Sequence, residues 1–575
     1  MVQVKLPFQP RQGHEDHGDL FNCALFRMLP NAMQEVCQRN VHVLEYLHML
    51  PVEESGIPQF YPKLTRKEGD LPTRNLFYPI SDDTLVHIWS VNEERDLYIP
   101  IEPSMAITLN DKMSEVETRL LDLAPRFATL DSRGDKEEAL VSALGTICQV
   151  GSNGSQARAS RFSLFRKKES SRINTTAREF DAIKYLVLRD KVGLGILEPI
   201  LKDTNIEDIS CSGLGSIFLE HKIFKGVKSA ITFDTHEDLD EFVLRLSEQI
   251  KRPVTMRNPI VDAVLPDGSR INIVYGRDVS HRGSNFTIRR FSDTPLSILE
   301  LIDFGSLDYR MAAYLSLILG EGMNVFVAGE TASGKTTLMN AITTFVPPAA
   351  KVVSIEDTPE IQVPHGNWIR EVSKAVRAGE KGAAVSMLDL LKAALRQRPN
   401  LIIIGEIRGE EGAIAFQAMQ TGHAVMATFH AASVEKLIQR LTGNPINVPK
   451  TYIDNLNVAV IQSAVKLPNG KVGRRAVSVS EIVGYDSASN SFSFVEVFRW
   501  DPITDKFVFT GDKSSYLLEE KIAPRRGIPP NRKWDIYQLV EKRATILRKL
   551  HKERGVTGYY ELLKVISRAQ QEGVF

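Results

Sequence analysis

The chain has 575 residues, of which 43% are hydrophobic and 25% charged, and basic and acidic residues number 71 each. At roughly 150 residues a domain, this length predicts about three to four domains of ordinary globular composition. The balanced charge excludes a globally basic or globally acidic binding protein, so any charged patch must be local. No apolar run approaches the roughly 20 residues that span a bilayer, and the N-terminus lacks a signal peptide's apolar core, so we expect a cytoplasmic protein.

The first 178 residues divide into three predicted segments. Residues 1–75 are an N-terminal region of unknown role, in which "AMQEVCQRNVHVLEYLHM" has helical spacing that favours core packing over a membrane or partner surface. Residues 76–150 contain the strand-like "TLVHIWSV" and "DLYIPIEP", which predict a small α/β module. Residues 151–178 carry seven Lys or Arg against one Glu after a Gly and Ser run, which indicates a basic Ser-rich linker or a segment that contacts lipid headgroups.

The four cysteines are scattered along the chain, at Cys23, Cys37, Cys148 and Cys211. No two of them are spaced as in a zinc ribbon or a redox motif. We therefore predict reduced, buried thiols that pack as small hydrophobes.

The remainder predicts two α/β blocks, 179–300 and 301–575. In the first, "LDEFVLRLSEQI" places five apolar residues on one helical face, between strand-like "SAITF" and "RINIVY". In the second, "MNVFVAG", "KVVSIED", "LIIIGE" and "AVMATFH" alternate with helical patterns, which favours a parallel sheet covered on both faces. From about Arg474 the pattern changes to hairpins and then to amphipathic helices.

"GETASGKT", Gly329–Thr336, fits the phosphate-binding loop G-x-x-x-x-G-K-[ST] and lies between an apolar strand and a helix. Small residues there let backbone N–H groups surround phosphates, Lys335 can reach the terminal oxygens, and the Thr336 hydroxyl can bind Mg²⁺. The sequence therefore predicts a nucleotide-phosphate site.

Three further strands end in polar residues, and parallel strands place their carboxyl ends at one ligand-binding edge. "VVSIEDTPE" supplies Glu356, Asp357 and Glu360, and the alternative is a helix cap and turn, which suits Asp357 and Pro359. "LIIIGEIRGEE" supplies Glu406, and "TGHAVMATFHAAS" supplies His423 and His430. The two histidines lack metal-ligand spacing, so hydrogen bonding near phosphate is the predicted use of His430, with a core histidine as the alternative.

The order "GETASGKTT", "SIEDTPE", "LRQRPNLIIIGEIRGEE" and "TGHAVMATFHA" resembles the secretion ATPase superfamily, which drives type II and type IV secretion, type IV pili and the archaellum. The resemblance extends from about Asp181 to the C-terminus. "NIEDISCSGLGSIFLEH", "VDAVLPDGSRINIVYG" and "RGSNFTIRRF" are most similar to the archaeal branch, whose members assemble the archaellum or pilus-like fibres. The zinc insertion of several bacterial members requires cysteines that this chain lacks beyond Cys211.

The resemblance implies an α/β fold with a RecA-like P-loop core, residues 301–575, behind a smaller PAS-like lobe, residues 179–300. A hinge is expected near "FSDTPLSILELIDFGS". Six copies would form a ring that hydrolyses ATP at the inner face of the cell membrane. The expected partners are a polytopic membrane platform protein and, indirectly, prepilin-like subunits, with no nucleic acid.

The resemblance also implies roles for individual residues. Glu406 and Glu356 are the carboxylates near the attacking water and the metal, and which of them accepts the proton stays open. Thr336 and Glu356 would hold Mg²⁺, His430 would act beside them, and Arg270 and Arg289 would reach the phosphates from the smaller lobe, ahead of Arg282 and Arg290. The residues expected to bind ATP are Gly329, Glu330, Thr331, Ala332, Ser333, Gly334, Lys335, Thr336 and Thr337.

Two other functions remain open from the sequence. RecA-like rings also move DNA in conjugation and translocation, but the neutral net charge and the lack of an aromatic-studded basic groove argue against this. A nucleotide-gated scaffold without turnover is the second alternative, and the presence of both Glu356 and Glu406 argues against it.

Overall fold

The computed structural model describes residues 3–9, 20–90, 95–127, 130, 132–151, 172–290, 294–374 and 384–575, which fall into two units, Met1–Ser292 and Asp293–Phe575. The boundary between the units lies inside the segment in which the sequence predicts a hinge. Most of the predicted basic linker, residues 152–171, lies outside the described residues.

The first unit mixes short strands and helices. Its strands are β1 Gln3–Val4, β2 Gln59–Phe60, β3 Asn75–Pro79, β4 Leu85–Trp89, β5 Leu97–Ile101, β6 Cys148–Val150, β7 Ile173–Thr175, β8 Ile206–Cys211, β9 Gly215–His221, β10 Lys225–Phe233, β11 Ile260–Val264, β12 Arg270–Val274 and β13 Asn285–Arg289. Its α-helices are α1 Ala24–Met28, α2 Asn31–Arg39, α3 Val41–Met49, α4 Val52–Ser55, α5 Asn110–Asp122, α6 Ala124–Phe127, α7 Arg133–Ile147, α8 Ala177–Lys191, α9 Glu198–Lys202 and α10 His236–Gln249. Its 3₁₀ helices are Leu20–Asn22, Arg66–Asp70 and Gly195–Leu197.

One sheet runs through the first unit in the order β11-β12-β13-β8-β9-β10-β5-β4-β3-β2, with β1 also paired to β10. The parallel pair β5–β10 joins the strands of segment 76–150 to those of segment 179–300. Both groups of strands contribute to one hydrophobic core. The domain boundaries at 150 and 178 stay a prediction. They are drawn from local sequence pattern, which carries no sign of this long-range strand pairing.

Three local predictions for the first unit, concerning one helix, the N-terminal helical segment and the cysteines, agree with the structure. Helix α10 buries Leu239, Phe242, Val243 and Leu246, and the Thr235 side chain caps it by accepting from the Asp238 N–H. The N-terminal helical segment becomes α2 and α3, with its apolar residues in a core, so the core interpretation is confirmed. All four cysteines are free and buried, as predicted.

The second unit begins with two helices and then alternates strand and helix. Its strands are β14 Val325–Gly329, β15 Val352–Glu356, β16 Trp368–Val372, β17 Leu401–Ile407, β18 Ala424–Phe429, β19 Val458–Lys466, β20 Val472–Asp486, β21 Ser491–Asp501 and β22 Lys506–Val508. Its α-helices are α11 Ile298–Asp303, α12 Tyr309–Gly320, α13 Lys335–Ile342, α14 Met387–Ala394, α15 Glu411–Gln420, α16 Val434–Thr442, α17 Ala523–Arg525, α18 Asp535–Lys552 and α19 Tyr559–Gln571. It also has 3₁₀ helices at Thr343–Phe345, Lys450–Asn455 and Pro530–Arg532, and a π-helix at Leu517–Ile522.

The sheet of the second unit has the order β16-β15-β17-β18-β14-β19-β20-β21-β22. Strands β16 to β19 in this order pair in parallel, and the hairpins β19–β22 pair antiparallel. A separate hydrophobic core lies on each face, so the sheet is covered on both sides, as continuous apolar strands require. This is a RecA-like P-loop architecture, and the predicted fold class is confirmed. Within the described residues, no helix is long and apolar enough to cross a membrane.

A buried polar network joins early and late strands of the first unit. Asp203 Oδ2 accepts hydrogen bonds from the hydroxyls of Tyr78 at 2.5 Å and Tyr98 at 3.1 Å. Asp203 Oδ1 accepts from the Asn205 backbone N–H at 2.8 Å and from its side-chain amide. Because a buried carboxylate that loses a donor retains its desolvation cost, this network stabilises the shared core.

We expect Tyr78→Phe to lower the free energy of unfolding of the first unit by about 1–3 kcal/mol, because the buried Asp203 carboxylate loses one donor. Urea denaturation measures this change. Tyr61→Phe is the control, since the Tyr61 hydroxyl bonds the Gln59 side chain at an exposed position. Amide exchange should accelerate in both β4 and β9, and acceleration confined to β3–β5 would contradict a shared core.

Candidate active site

The phosphate loop connects β14 to α13 in the middle of the second sheet. A Cβ on Gly329 would lie 2.1 Å from the Gln462 carbonyl oxygen and 2.6 Å from Ser333 Oγ, so only glycine fits at this position. Ser333 is buried and its hydroxyl donates to the Glu330 carbonyl at 2.8 Å. The loop is thus packed tightly at its start and turns directly into the first residues of the helix.

Lys335 is the first residue of α13 and is 8% exposed. Its ammonium donates to the Glu330 carbonyl oxygen at 2.8 Å, within the loop. Burial lowers the Lys335 pKa, while the charges of Glu406 and Glu360 oppose that shift. The lysine is therefore held at the loop with the carboxylates of Glu406 and Glu360 close enough to act on its charge.

Glu356 ends β15 and its side chain is 1% exposed. Its Oε1 accepts from the backbone N–H groups of Glu360 and Ile361, both at 2.6 Å, and its Oε2 lies 3.3 Å from Arg370 Nε. Burial raises the Glu356 pKa to about 7, although these donors oppose the shift. The Glu356 carboxylate thus caps the turn that follows its strand. The sequence offered this capping role to Asp357, whereas the structure gives it to Glu356.

Glu406 lies near the end of β17, where the register against β18 shifts between Ile404 and Ile407. Such a bulge redirects side chains at a strand end. A Cβ on Gly405 would meet Glu356 Cγ at 3.2 Å, so the glycine lets the two carboxylate-bearing strands pack together. The Glu406 side chain is 21% exposed, and its Oε2 accepts from Arg408 at 2.5 Å.

His430 follows the last residue of β18 and reaches Glu406. Its Nε2 lies 2.8 Å from Glu406 Oε1, although this contact lacks the alignment of a regular hydrogen bond. Burial lowers the His430 pKa, which favours the neutral ring, while Glu406 opposes the shift. His423 precedes the same strand and contacts Thr421, so the two histidines lie at opposite ends of a six-residue strand.

The predicted arginines belong to the first unit. Arg270 on β12 and Arg289 on β13 are direct register partners, so the sheet brings these two together. Arg289 also pairs in register with Asp208, and burial raises the Asp208 pKa while the charge of Arg289 opposes that shift. Arg290 donates to the Asp203 carbonyl and Arg282 is exposed in a turn, so the two less favoured arginines serve fold contacts or lie in solvent.

Sequence reasoning missed three arginines at the site of the second unit. Arg370 pairs with Glu356, Arg408 pairs with Glu406, and Arg474 donates to the Ala332 carbonyl of the phosphate loop. Arg408 is two residues from Glu406 in "GEIRGEE", and this proximity in the sequence could have indicated that the two side chains pair. Arg370 and Arg474 lie on strands without a motif, and the sequence offered no signal for their partners.

The residues present fit a nucleotide and Mg²⁺. The loop excludes side chains at Gly329 and aligns Lys335 with acidic strand ends, which suits a phosphate chain. Among the described residues, no cluster of three or more His, Cys, Asp or Glu is arranged to hold a metal by itself. Mg²⁺ at such loops needs only one or two protein ligands besides phosphates and water, which Thr336 and Glu356 would supply.

The parallel sheet, its central phosphate loop and the acidic strand ends define the chain as a RecA-like P-loop nucleotide-binding protein. The family model for the type II/IV secretion system protein matches residues 190–469. The chain is also 32% identical to the type IV secretion system protein PtlH of Bordetella pertussis over 43% of its own length and 79% of PtlH. The chain therefore belongs to the type II/IV secretion system protein family.

Two further similarities cover more of the chain. The uncharacterized protein MJ0900 of Methanocaldococcus jannaschii is 43% identical over 548 residues, which are 94% of this chain and 97% of that protein. The X-ray structure of the Legionella pneumophila ATPase DotB is 19% identical, covers 67% of this chain and 96% of its own, and gives a TM-score of 0.39. The first similarity extends the relationship to the N-terminal segments that the family model leaves out.

Glu356 gives the second unit a testable pH dependence. With the folded-state pKa raised from 4.5 to about 7, native protein binds more protons than unfolded chain between these two pH values. The free energy of unfolding should therefore fall as pH rises through this window, by up to about 3 kcal/mol. Glu356→Gln should abolish this decline in urea denaturation without nucleotide. The exposed control Glu553→Gln should keep it, and an identical decline in Glu356→Gln would exclude Glu356 as the source.

Proposed function

We propose that the protein is an ATP-hydrolysing, Mg²⁺-dependent motor that powers assembly of an archaeal pilus- or archaellum-type filament, or type II/IV-like protein secretion. The observation that carries this proposal is the placement of Lys335, Glu406 and His430 at adjacent carboxyl ends of one parallel sheet. Membership in the secretion system family and the similarity to a Methanocaldococcus protein support the archaeal form of the proposal.

We propose that Glu406 is the carboxylate that orients and deprotonates the attacking water. Its side chain is 21% exposed against 1% for Glu356, and its charge already acts on Lys335 and His430. Glu356 has a pKa near that of an effective base, but both its oxygens are engaged by two backbone N–H groups and Arg370, away from solvent. This difference in exposure favours Glu406 for the water. Glu356 would bind Mg²⁺ only after its Oε2 releases Arg370.

Bound Mg²⁺ would supply charge neutralisation for the phosphates. Around it, the backbone N–H groups from Gly329 to Thr337 would bind phosphate oxygens, and Lys335 would exchange its bond to Glu330 for one to a phosphate. His430 would hold the Glu406 carboxylate in place, with its Nε2–H as a hydrogen-bond donor to Glu406 Oε1. Arg270 and Arg289, adjacent on one sheet, would add positive charge from the first unit when it closes.

We further propose a ring of six chains whose nucleotide-driven closure performs mechanical work. The work would be delivered to a polytopic membrane platform protein at the inner face of the membrane, and through it to prepilin-like subunits. The N-terminal segments, which lie outside the matched family region, are the proposed contact with that platform.

We expect Glu406→Gln to reduce kcat for ATP by about 10²–10⁴-fold while nucleotide still binds, because a base is lost but the loop is intact. Lys335→Ala should abolish turnover and weaken binding. A coupled ADP-release assay and nucleotide titration measure both. Glu410→Gln, exposed just beyond the same strand, is the control. Turnover near the unsubstituted level in Glu406→Gln, with loss in Glu356→Gln, would transfer the base role to Glu356.

Light scattering with a non-hydrolysable ATP analogue should detect a species near six times the chain mass of 64.4 kDa. Lys335→Ala, which should bind the analogue poorly, serves as the control for nucleotide-dependent assembly. A persistent monomer would contradict the ring. Stimulation of turnover by DNA, rather than by membranes containing a platform protein, would instead support a DNA-translocating ring.

A further inference from the structure

Arg474 lies on β20, two residues after that strand begins, and contacts the phosphate loop. Its Nε donates to the Ala332 carbonyl oxygen at 3.0 Å. Its Cδ lies 3.3 Å from the position that a Cβ on Gly334 would occupy. The arginine therefore covers the stretch of the loop between Ala332 and Gly334, immediately before Lys335.

Ala332 has an unfavourable backbone conformation. Its φ is +60°, a left-handed conformation that residues other than glycine adopt rarely. Ala332 is exposed, so packing of its own side chain does not hold it in this conformation. The charged guanidinium is a strong donor to its carbonyl and fixes the peptide that links Ala332 to Ser333. At the other end of that peptide, the Ser333 N–H donates to the Glu330 carbonyl at 3.3 Å, so the peptide is bonded at both ends.

The strand that carries Arg474 is itself anchored. Arg475 is buried, and its guanidinium donates to both Asp505 carboxylate oxygens at 2.8 Å and to the Phe304 carbonyl at 3.0 Å. The Ala476 N–H donates to the Ser306 carbonyl at 2.8 Å. Since the residues beside Arg474 are fixed to two other segments, Arg474 reaches the loop from a rigid base, which is what a positioning residue requires.

We propose that Arg474 is a positioning residue for nucleotide binding: its bond to the Ala332 carbonyl holds the phosphate loop in the conformation that receives phosphate. The proposal rests on the nucleotide site proposed above. It differs from a role in the reaction itself, because Arg474 acts on the loop rather than on the reacting phosphate. Its effect should fall on affinity and on the order of the empty loop.

The test compares Arg474→Ala and Arg474→Lys in the full chain. For Arg474→Ala, KM for ATP and Kd for ADP should rise about tenfold, with kcat within about twofold of the unsubstituted protein. Amide hydrogen exchange of residues 330–334 in nucleotide-free protein should accelerate. Arg474→Lys should recover most of both properties, because its ammonium can still donate to the Ala332 carbonyl.

The control variant is Arg499→Ala. Arg499 is an exposed arginine on the neighbouring β21, and its ion pair with Glu496, at 3.7 Å, lies within that strand. This variant removes the same charge from the same sheet and should bind ATP normally. Equal loss of affinity in Arg499→Ala and Arg474→Ala would show a general charge effect and overturn the proposal.

Two further outcomes separate this inference from the proposed function. A fall in kcat with unchanged KM would overturn it by placing Arg474 on the reacting phosphate. If the unsubstituted protein bound no ATP, the proposed function would fail, yet exchange of residues 330–334 would still decide the inference. Faster exchange in Arg474→Ala would support it, and unchanged exchange would overturn it.

Discussion

Parallel pairing of β15, β17, β18 and β14 places four chain segments, separated in sequence by helices, side by side at one edge of one sheet. The positions of the candidate site residues Glu356, Glu406 and His430 depend on this register. A slip of one residue in β17 would reverse the faces of its residues and exchange the environment of Glu406 with that of a core isoleucine. The buried apolar residues on both faces set the register, so the hydrophobic cores also fix the chemistry at the strand ends.

Within that frame, two glutamates of the same chemistry occupy different electrostatic environments. Glu356 is enclosed by a turn that its own carboxylate holds closed, and Gly405 provides the space for it. Glu406, next to that glycine, lies at a bulge, is partly exposed and contacts Arg408 and His430. Burial raises the pKa of the enclosed carboxylate, whereas the other carboxylate stays partly exposed. The Gly-Glu sequence at the end of β17 thus affects both glutamates. Gly405 leaves space for the Glu356 side chain, and Glu406 follows it at the bulge.

The sequence was sufficient for features encoded locally. Continuous apolar strands predicted the parallel sheet, the spacing of "GETASGKT" predicted the loop, and helical periodicity predicted the buried face of α10. It was insufficient where a contact joins distant segments. The β5–β10 pair spans more than a hundred residues, and the bonds of Arg370 to Glu356 and of Arg474 to Ala332 arise from strands with no motif. Hydrophobic pattern specifies which face of a strand is buried, but it does not specify which polar group that strand meets.

The antiparallel hairpins that follow the parallel strands also contribute to the site. Strand β19 runs parallel to β14 and continues beyond it, past the Gly329–Gln462 register pair. Its antiparallel partner β20 must then begin beyond the carboxyl edge of the sheet, beside the phosphate loop. In an antiparallel hairpin the second strand starts where the first one ends, so the first residues of β20 lie at this edge before the strand enters the core. Arg474 and Arg475 occupy those first residues, so the change from parallel to antiparallel pairing is what places two arginines at the loop and behind it.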